Sequence, residues 1–363
     1  MATHFHALRI KDISRETPDC VSIAFDIPEE LRTEFSFTQG QNITLKTMVD
    51  GQEIRRSYSI CSGPADNELR VAVKKVDKGL FSTFANHVLK TGDTIEIMPP
   101  TGRFFTTLNP VNKKNYLAFA AGSGITPILS IIKTTLAIEP GSSFTLVYGN
   151  RNRASIIFRE QLEALKNRYT SRFVLHHILS REKTDAAVNY GRINEEKAAV
   201  LGDKLIDIKG MDEIFLCGPE EMIFSVKEGL EKQGIDSRKI HFELFTTPGQ
   251  KTGGATAGLA APDHTVTTGK ISKVTVKLDG ISFDFDLPYG GAGILDAALD
   301  QGADLPYACK GGVCCTCRAR LVEGEVVMDN NYALEPEEVK AGFILTCQSH
   351  PRSEKVVIDF DQK

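Results

Sequence analysis

The sequence predicts a multidomain protein built from a β-barrel module, an α/β parallel-sheet module and a small α+β module. Three observations carry this expectation. The first hundred residues hold short β-rich runs punctuated by Gly and Pro. From Asn115 the rhythm changes to strand–helix alternation, the signature of a parallel sheet with helices on both faces. A stretch poor in core-forming residues then precedes a C-terminal segment in which cysteines crowd together. At 363 residues the chain exceeds what one hydrophobic core serves, so division into domains is expected.

In the first module, 1–109, strands are expected at Val21–Phe25, Asn42–Leu45, Arg56–Ile60 and Leu69–Val76, with a helix at Leu80–Leu89. The second, 110–246, alternates strands at Tyr116–Ala121, Phe144–Gly149, Arg172–Leu179 and Glu213–Cys217 with helices at Pro127–Ala137, Phe158–Tyr169 and Pro219–Gln233. Residues 247–268 form an expected flexible linker, since 16 of 22 are Thr, Gly, Ala or Pro. Such a coil spans roughly 25 Å root-mean-square. In the third module, 269–363, Lys273–Leu278 and Ile281–Asp286 alternate around Asp279-Gly280, a hairpin signal, and a helix is expected at Ile294–Asp300.

A net charge of −4 argues against a nucleic-acid partner, which needs a concentrated basic surface. There is no apolar run near the roughly 20 residues that span a bilayer, and the amino terminus lacks an apolar signal core. The expectation is a cytoplasmic protein that does not enter the membrane. The third module carries 15 acidic and 10 basic residues, a formal −5, which would steer it toward a basic partner surface.

Of eight cysteines, Cys309, Cys314, Cys315, Cys317 and Cys347 fall in the last sixty positions. In a long cytosolic chain such clustering points to metal or redox chemistry rather than a disulfide framework. Cys309, Cys314, Cys317 and Cys347 give C-x4-C-x2-C plus a distant fourth cysteine, the plant-type [2Fe–2S] spacing. Lys310-Gly311-Gly312-Val313 supplies small residues that let backbone N–H groups approach the sulfurs. Zinc ribbons favour two separated C-x2-C knuckles instead. Cys315 is expected to be a non-ligand thiol, and Cys20 and Cys61 to be core residues.

Arg56-Ser57-Tyr58-Ser59 lies on an expected strand whose period-two geometry puts Arg56 and Tyr58 on one face. A ring there can stack on an isoalloxazine, and a guanidinium can fork a phosphate. Gly79 through Ser82 open a helix and can offer backbone N–H groups to a pyrophosphate. Gly122-Ser123-Gly124-Ile125-Thr126-Pro127 follows a strand and opens another helix, again favouring a pyrophosphate. Pro127, with φ fixed, suits the first turn.

These residues, in this order, resemble the ferredoxin–NADP reductase superfamily followed by a C-terminal plant-type ferredoxin domain of β-grasp type. The resemblance implies FAD contacts at Arg56, Tyr58, Ser59, Gly79 and Ser82, with FMN used by some relatives. It implies a nicotinamide site at Cys217 and Gly218, nucleotide contacts at Gly122, Gly124 and Thr126, and a closing segment with Glu243 and Phe245 near the flavin. Arg151, Ser180 and Arg181 suggest a 2′-phosphate partner, hence NADP(H) over NADH.

Ile294-Leu295-Asp296-Ala297-Ala298, Tyr307 through Cys314 and Asn331-Tyr332-Ala333-Leu334 closely resemble reductase components of the di-iron monooxygenases that open phenylacetate breakdown. Relatives serving steroid, aromatic or alkane oxygenases share every redox motif. The implied partner is the oxygenase component of a multicomponent monooxygenase. A hydride carries two electrons and a [2Fe–2S] centre accepts one, so a flavin is needed between them. A self-sufficient NAD(P)H oxidoreductase and a non-catalytic redox sensor are the alternatives.

Overall fold

The computed structural model describes residues 4–245 and 270–362. The segment expected to be a linker, 247–268, lies outside the described residues.

The first module contains β1 (His6–Thr17), β2 (Cys20–Asp26), β3 (Asn42–Val49), β4 (Gln52–Ser59), β5 (Leu69–Lys74), α1 (Leu80–His87) and β6 (Thr94–Ile97). The antiparallel sheet runs β4-β3-β6-β1-β2-β5. An isolated bridge between Ile60 and Val71, with the Cys61 N–H donating to Arg70 O at 2.8 Å, joins the two ends into a barrel. Closure removes the free edges that an open sheet would expose. Leu8, Ile10, Ile23, Ile43, Val71 and Ile97 fill the interior.

Two of these strands escape the sequence pattern. Along β1 the apolar positions Leu8 and Ile10 are followed by Ile13 out of phase, because a bulge between Ile10 and Asp12 shifts the register. Strand β6 has only Ile95 and Ile97 to show.

The second module follows with β7 (Asn115–Ala121), α2 (Ile125–Ile138), β8 (Ser143–Asn150), α3 (Arg159–Arg168), β9 (Phe173–Leu179), α4 (Glu195–Lys204), β10 (Glu213–Cys217), α5 (Glu220–Lys232) and β11 (Ile240–Glu243). All strand pairs are parallel, in the order β11-β10-β7-β8-β9. Period two sorts the central strand β7. Tyr116, Ala118 and Ala120 face one core with Ile128 and Leu162, while Leu117 and Phe119 face the other with Leu201 and Val226. Helix α4 was not expected. It buries only Ala198 and Leu201 and contains Gly202, so its amphipathic signal is weak; the Asn194 side chain caps it by accepting from the Lys197 N–H at 2.9 Å.

The third module comprises β12 (Ile271–Leu278), β13 (Ile281–Pro288), α6 (Ile294–Asp300), β14 (Arg318–Glu323), β15 (Val326–Met328), α7 (Pro336–Lys340), β16 (Phe343–Leu345), β17 (Ser349–Pro351) and β18 (Lys355–Asp359). Its main sheet runs β13-β12-β18-β14-β16, with only β12 and β18 parallel. Helix α6 packs Ile294, Leu295 and Ala298 against this mixed sheet, a β-grasp arrangement. Asp279 and Gly280 both adopt positive φ, as the two-residue hairpin turn requires. Among the described residues, no helix is long and apolar enough to cross a membrane.

Candidate functional site

The four expected cluster cysteines come together in pairs. Cys309 and Cys314 place their sulfurs 3.1 Å apart, and Cys317 is within hydrogen-bonding reach of Cys347. Tetrahedral zinc needs four ligands about one ion. Two pairs suit two irons, each taking one pair.

Backbone N–H groups aim at these sulfurs. The Gly311 N–H lies 3.3 Å from Cys309 Sγ, and the Gly312 amide donates to Cys347. Gly312 has φ +75°, and a Cβ there would sit 2.8 Å from Asn330 O, so only glycine fits the wrap. The Cys309 thiol is drawn down to about 6, chiefly by the Cys314 hydrogen bond and, against burial, by loop amides. The Cys314 hydrogen bond and the loop amides together favour the thiolate at Cys309, the form that ligates metal. Cys315 points elsewhere and donates to Ala333 O at 3.2 Å, while Cys20 and Cys61 are buried in the core.

The cluster loop faces a cleft of about 290 Å³. Arg56, Ser57 and Ser59 of β4 line one wall, Glu243 through Phe245 another, and Cys309, Val313 and Cys314 a third. Elements from all three modules thus meet at one cavity. Arg56 is exposed to it, with its guanidinium donating to Arg55 O at 2.7 Å. Tyr58 is half-buried against Phe81, ring centroids 5.4 Å apart, which ties β4 to the Gly79–Ser82 turn.

In that turn the Ser82 hydroxyl accepts from the Val76 N–H at 3.1 Å and donates to Gly79 O at 3.2 Å. Its hydrogen bonds shape the turn, which leaves the backbone donors at the start of α1 for an anion.

Glu243 ends β11 directly beside Cys217, which ends β10. Its carboxylate accepts from Ser59 Oγ at 2.9 Å, bonding the parallel sheet to β4. Burial raises the Glu243 carboxyl to about 7 and the neighbouring Cys217 thiol well above its ordinary value. Because the native state holds that proton more tightly than the unfolded chain, Glu243 stabilises the fold most below pH 4.5. Its contribution is lost as pH rises to about 7. In paired urea titrations, the stability of wild type relative to Glu243→Gln is expected to fall across this window and level off above it. A difference independent of pH would contradict the assignment.

The expected nucleotide residues converge at the carboxyl end of the parallel sheet, where open α/β sheets bind ligands. A Cβ on Gly124 would lie 2.1 Å from Cys217 O and 2.7 Å from Gly218 N, so the turn before α2 seats directly on the Cys217-Gly218 backbone. Thr126 Oγ1 donates to Ser123 O at 3.0 Å and Tyr148 Oη to Gly122 O at 3.0 Å, fixing that turn. The Ser180 N–H donates to Asn150 O and the Arg181 N–H to Arg151 O, at 2.9 and 2.8 Å. Both arginine side chains stand exposed there.

Three family models match the chain: an oxidoreductase FAD-binding domain over residues 7–106, an oxidoreductase NAD-binding domain over 119–228, and a 2Fe-2S iron-sulfur cluster binding domain over 276–352. Over 361 residues the chain is 44% identical to one component of the 1,2-phenylacetyl-CoA epoxidase of Escherichia coli, with 99% of each chain covered. The chain belongs to the ferredoxin–NADP reductase superfamily, in the branch with a C-terminal 2Fe-2S domain.

It is also 32% identical to the ferredoxin reductase component of the 3-ketosteroid-9-alpha-monooxygenase of Rhodococcus rhodochrous, over 97% of this chain and 96% of that one. The solved phthalate dioxygenase reductase shares the fold, with a TM-score of 0.57 at 23% identity and 98% of each chain covered. The reductase is therefore an NAD(P)H-dependent oxidoreductase with sites for FAD, a pyridine nucleotide and a [2Fe–2S] cluster.

Arg55 escapes the sequence pattern. It follows an apolar residue on a strand and precedes the flavin motif, yet it is 7% exposed and reaches into the 2Fe-2S module. Period two gave no signal for it, because Ser57 and Ser59, in phase with Arg55, line the cleft.

Proposed function

We propose that this reductase passes electrons from NADPH through FAD and its [2Fe–2S] cluster to a di-iron oxygenase, the phenylacetyl-CoA 1,2-epoxidase. One observation carries the electron path: the cleft lined at once by the flavin strand, the end of the nucleotide sheet and the cluster loop. The full-length 44% identity to an epoxidase component supports the partner. The functional units are 1–109 for FAD, 110–246 for the nucleotide and 269–363 for the cluster, joined through 247–268.

Flavin takes up two electrons together and gives them up singly, matching a two-electron donor to a one-electron centre. The protein binds and orients. Arg56, Tyr58 and Ser59, with the amides of the Gly79–Ser82 turn, hold FAD. Gly122, Gly124 and Thr126 shape the pyrophosphate turn, and the small Gly218 beside Cys217 leaves room for the nicotinamide. Glu243, hydrogen-bonded to Ser59, keeps a proton near neutral pH at the flavin wall. Phe245, 40% exposed at that wall, shields the cleft from water. Cys309, Cys314, Cys317 and Cys347 ligate the irons.

The adjacency of Arg151, Ser180 and Arg181 supports NADPH, because two guanidiniums and a hydroxyl at one sheet edge suit a 2′-phosphate. Arg181→Ala is expected to raise KM for NADPH about tenfold, the scale of one lost charge-assisted contact, while KM for NADH stays put. Equal losses for both nucleotides would place the arginine outside the 2′-phosphate site. The function itself is tested by mixing NADPH-reduced protein with purified phenylacetyl-CoA epoxidase and with a steroid oxygenase. Product from the epoxidase is expected, and turnover with the steroid oxygenase alone would refute the partner.

A further inference from the structure

Successive residues of β4 serve two different modules. Arg56 and Ser59 line the cleft, whereas the Arg55 guanidinium crosses to the segment that leads into the cluster loop. Arg55 Nη1 donates to Leu305 O at 3.2 Å, and Nη2 to Asp304 Oδ1 at 3.3 Å. The guanidinium lies over the Tyr307 ring, 4.3 Å from its centroid, and 5.1 Å from that of Phe5. Its Nε donates to Glu53 at 2.8 Å, so each guanidinium nitrogen is engaged.

Tyr307 stands two residues before Cys309. A buried guanidinium is expensive unless its donors are satisfied, and the partners of Nη1 and Nη2 are in place only while the two modules stay docked. Next to it, Thr44 Oγ1 lies 3.1 Å from Ser57 Oγ and 3.4 Å from Thr316 Oγ1, within the cluster loop. Beyond that pair, Arg103 forms an ion pair at 2.9 Å with Glu338, which is 6% exposed and also meets Arg318 at 3.0 Å. These contacts flank Cys309 through Cys317 on the flavin module.

We propose that Arg55 is a positioning residue that seats the cluster loop against the flavin strand and sets the rate of electron transfer between the two cofactor sites. It touches neither cofactor site itself. Its planar fork grips a carbonyl and a carboxylate while its face stacks on Tyr307, a geometry that lysine cannot reproduce. Asp304 is 86% exposed, so that arm adds little; the carbonyl and ring contacts hold the seat.

The inference rests on FAD and the cluster occupying the cleft described above. The test uses the full-length holoprotein, anaerobically, in stopped flow with NADPH. In Arg55→Ala, flavin reduction is expected within twofold of wild type, and transfer from flavin to cluster slowed at least about tenfold, the population scale of one lost charge-assisted contact. Arg55→Lys should fall between the two, and Asp304→Asn should match wild type. Hydrogen exchange of the oxidised holoprotein gives a readout independent of turnover: amides of 304–309 should exchange faster in Arg55→Ala, with those of β12 unchanged.

Tyr307→Leu, which removes the ring from the other side, is expected to repeat the phenotype should Arg55→Ala fold poorly. Wild-type transfer rates in both variants, or unchanged exchange at 304–309, would overturn the proposal. Absence of flavin and cluster absorbance from the wild-type protein would instead sink the reading on which it rests.

Discussion

Replacing Cys309 with Ser is expected to cut electron delivery to a one-electron protein acceptor such as cytochrome c by about a hundredfold or more, the scale on which altered metal sites lose affinity. NADPH-driven bleaching of the flavin should continue at the wild-type rate. The reason lies in how the sulfurs pair. Cys309 and Cys314 are 3.1 Å apart and, in the proposed site, would share one iron, so a single substitution would leave that iron with half its protein ligands. The Cys314 hydrogen bond and the loop amides, which together draw the Cys309 thiol down to about 6, would face a hydroxyl that stays protonated at neutral pH. Comparing cytochrome c reduction with ferricyanide reduction, which can draw on flavin directly, separates the two half-reactions. Full delivery to cytochrome c by the variant would refute the assignment.

Gly124→Ala is expected to act at the opposite end of the path and with similar force. The added methyl would lie 2.1 Å from Cys217 O, 2.4 Å from Cys217 C and 2.7 Å from Gly218 N. All three are backbone atoms, so there is no side-chain rotation to relieve the clash. Either the turn before α2 or the end of β10 must shift by about 1 Å, and shifts of that size cost on the order of 100-fold in a positioned reaction. Flavin reduction by NADPH should fall accordingly, while dithionite still reduces the cluster at the wild-type rate. A variant with unaltered nucleotide kinetics would show that the two motifs do not act as one site.

Much of this arrangement was legible in the chain because the signals are local. The C-x4-C-x2-C run, the glycine turn before α2 and the strand–helix alternation all lie within short windows, and the strands and helices of that alternation are present. Glu213–Cys217 and Ile294–Asp300 appear with the expected bounds, since a continuous apolar run and a clean helical period leave little ambiguity. Strand β1 was illegible because its bulge breaks the alternation halfway along, and α4 because its buried face comprises two residues.

Contacts between modules were least legible of all. Ser59 with Glu243, Thr44 with Thr316 and Arg55 with Leu305 are separated by 184, 272 and 250 positions. Sequence periodicity says which face of a strand is buried, and nothing about what buries it. Arg55 shows the point sharply. An arginine on a strand is ordinarily solvated, and only the approach of Tyr307 and the Leu305 carbonyl turns it into a buried residue.

A single cleft that links hydride chemistry to iron–sulfur chemistry through a flavin is tested most directly by anaerobic stopped flow. The purified holoprotein would be mixed with NADPH, alongside iron, acid-labile sulfide and zinc analysis. Loss of flavin absorbance followed by cluster reduction, in a protein containing iron and sulfide in equal amounts, is the expected result. A zinc-loaded protein, or a cluster that reduces while the flavin stays oxidised and uninvolved, would contradict it.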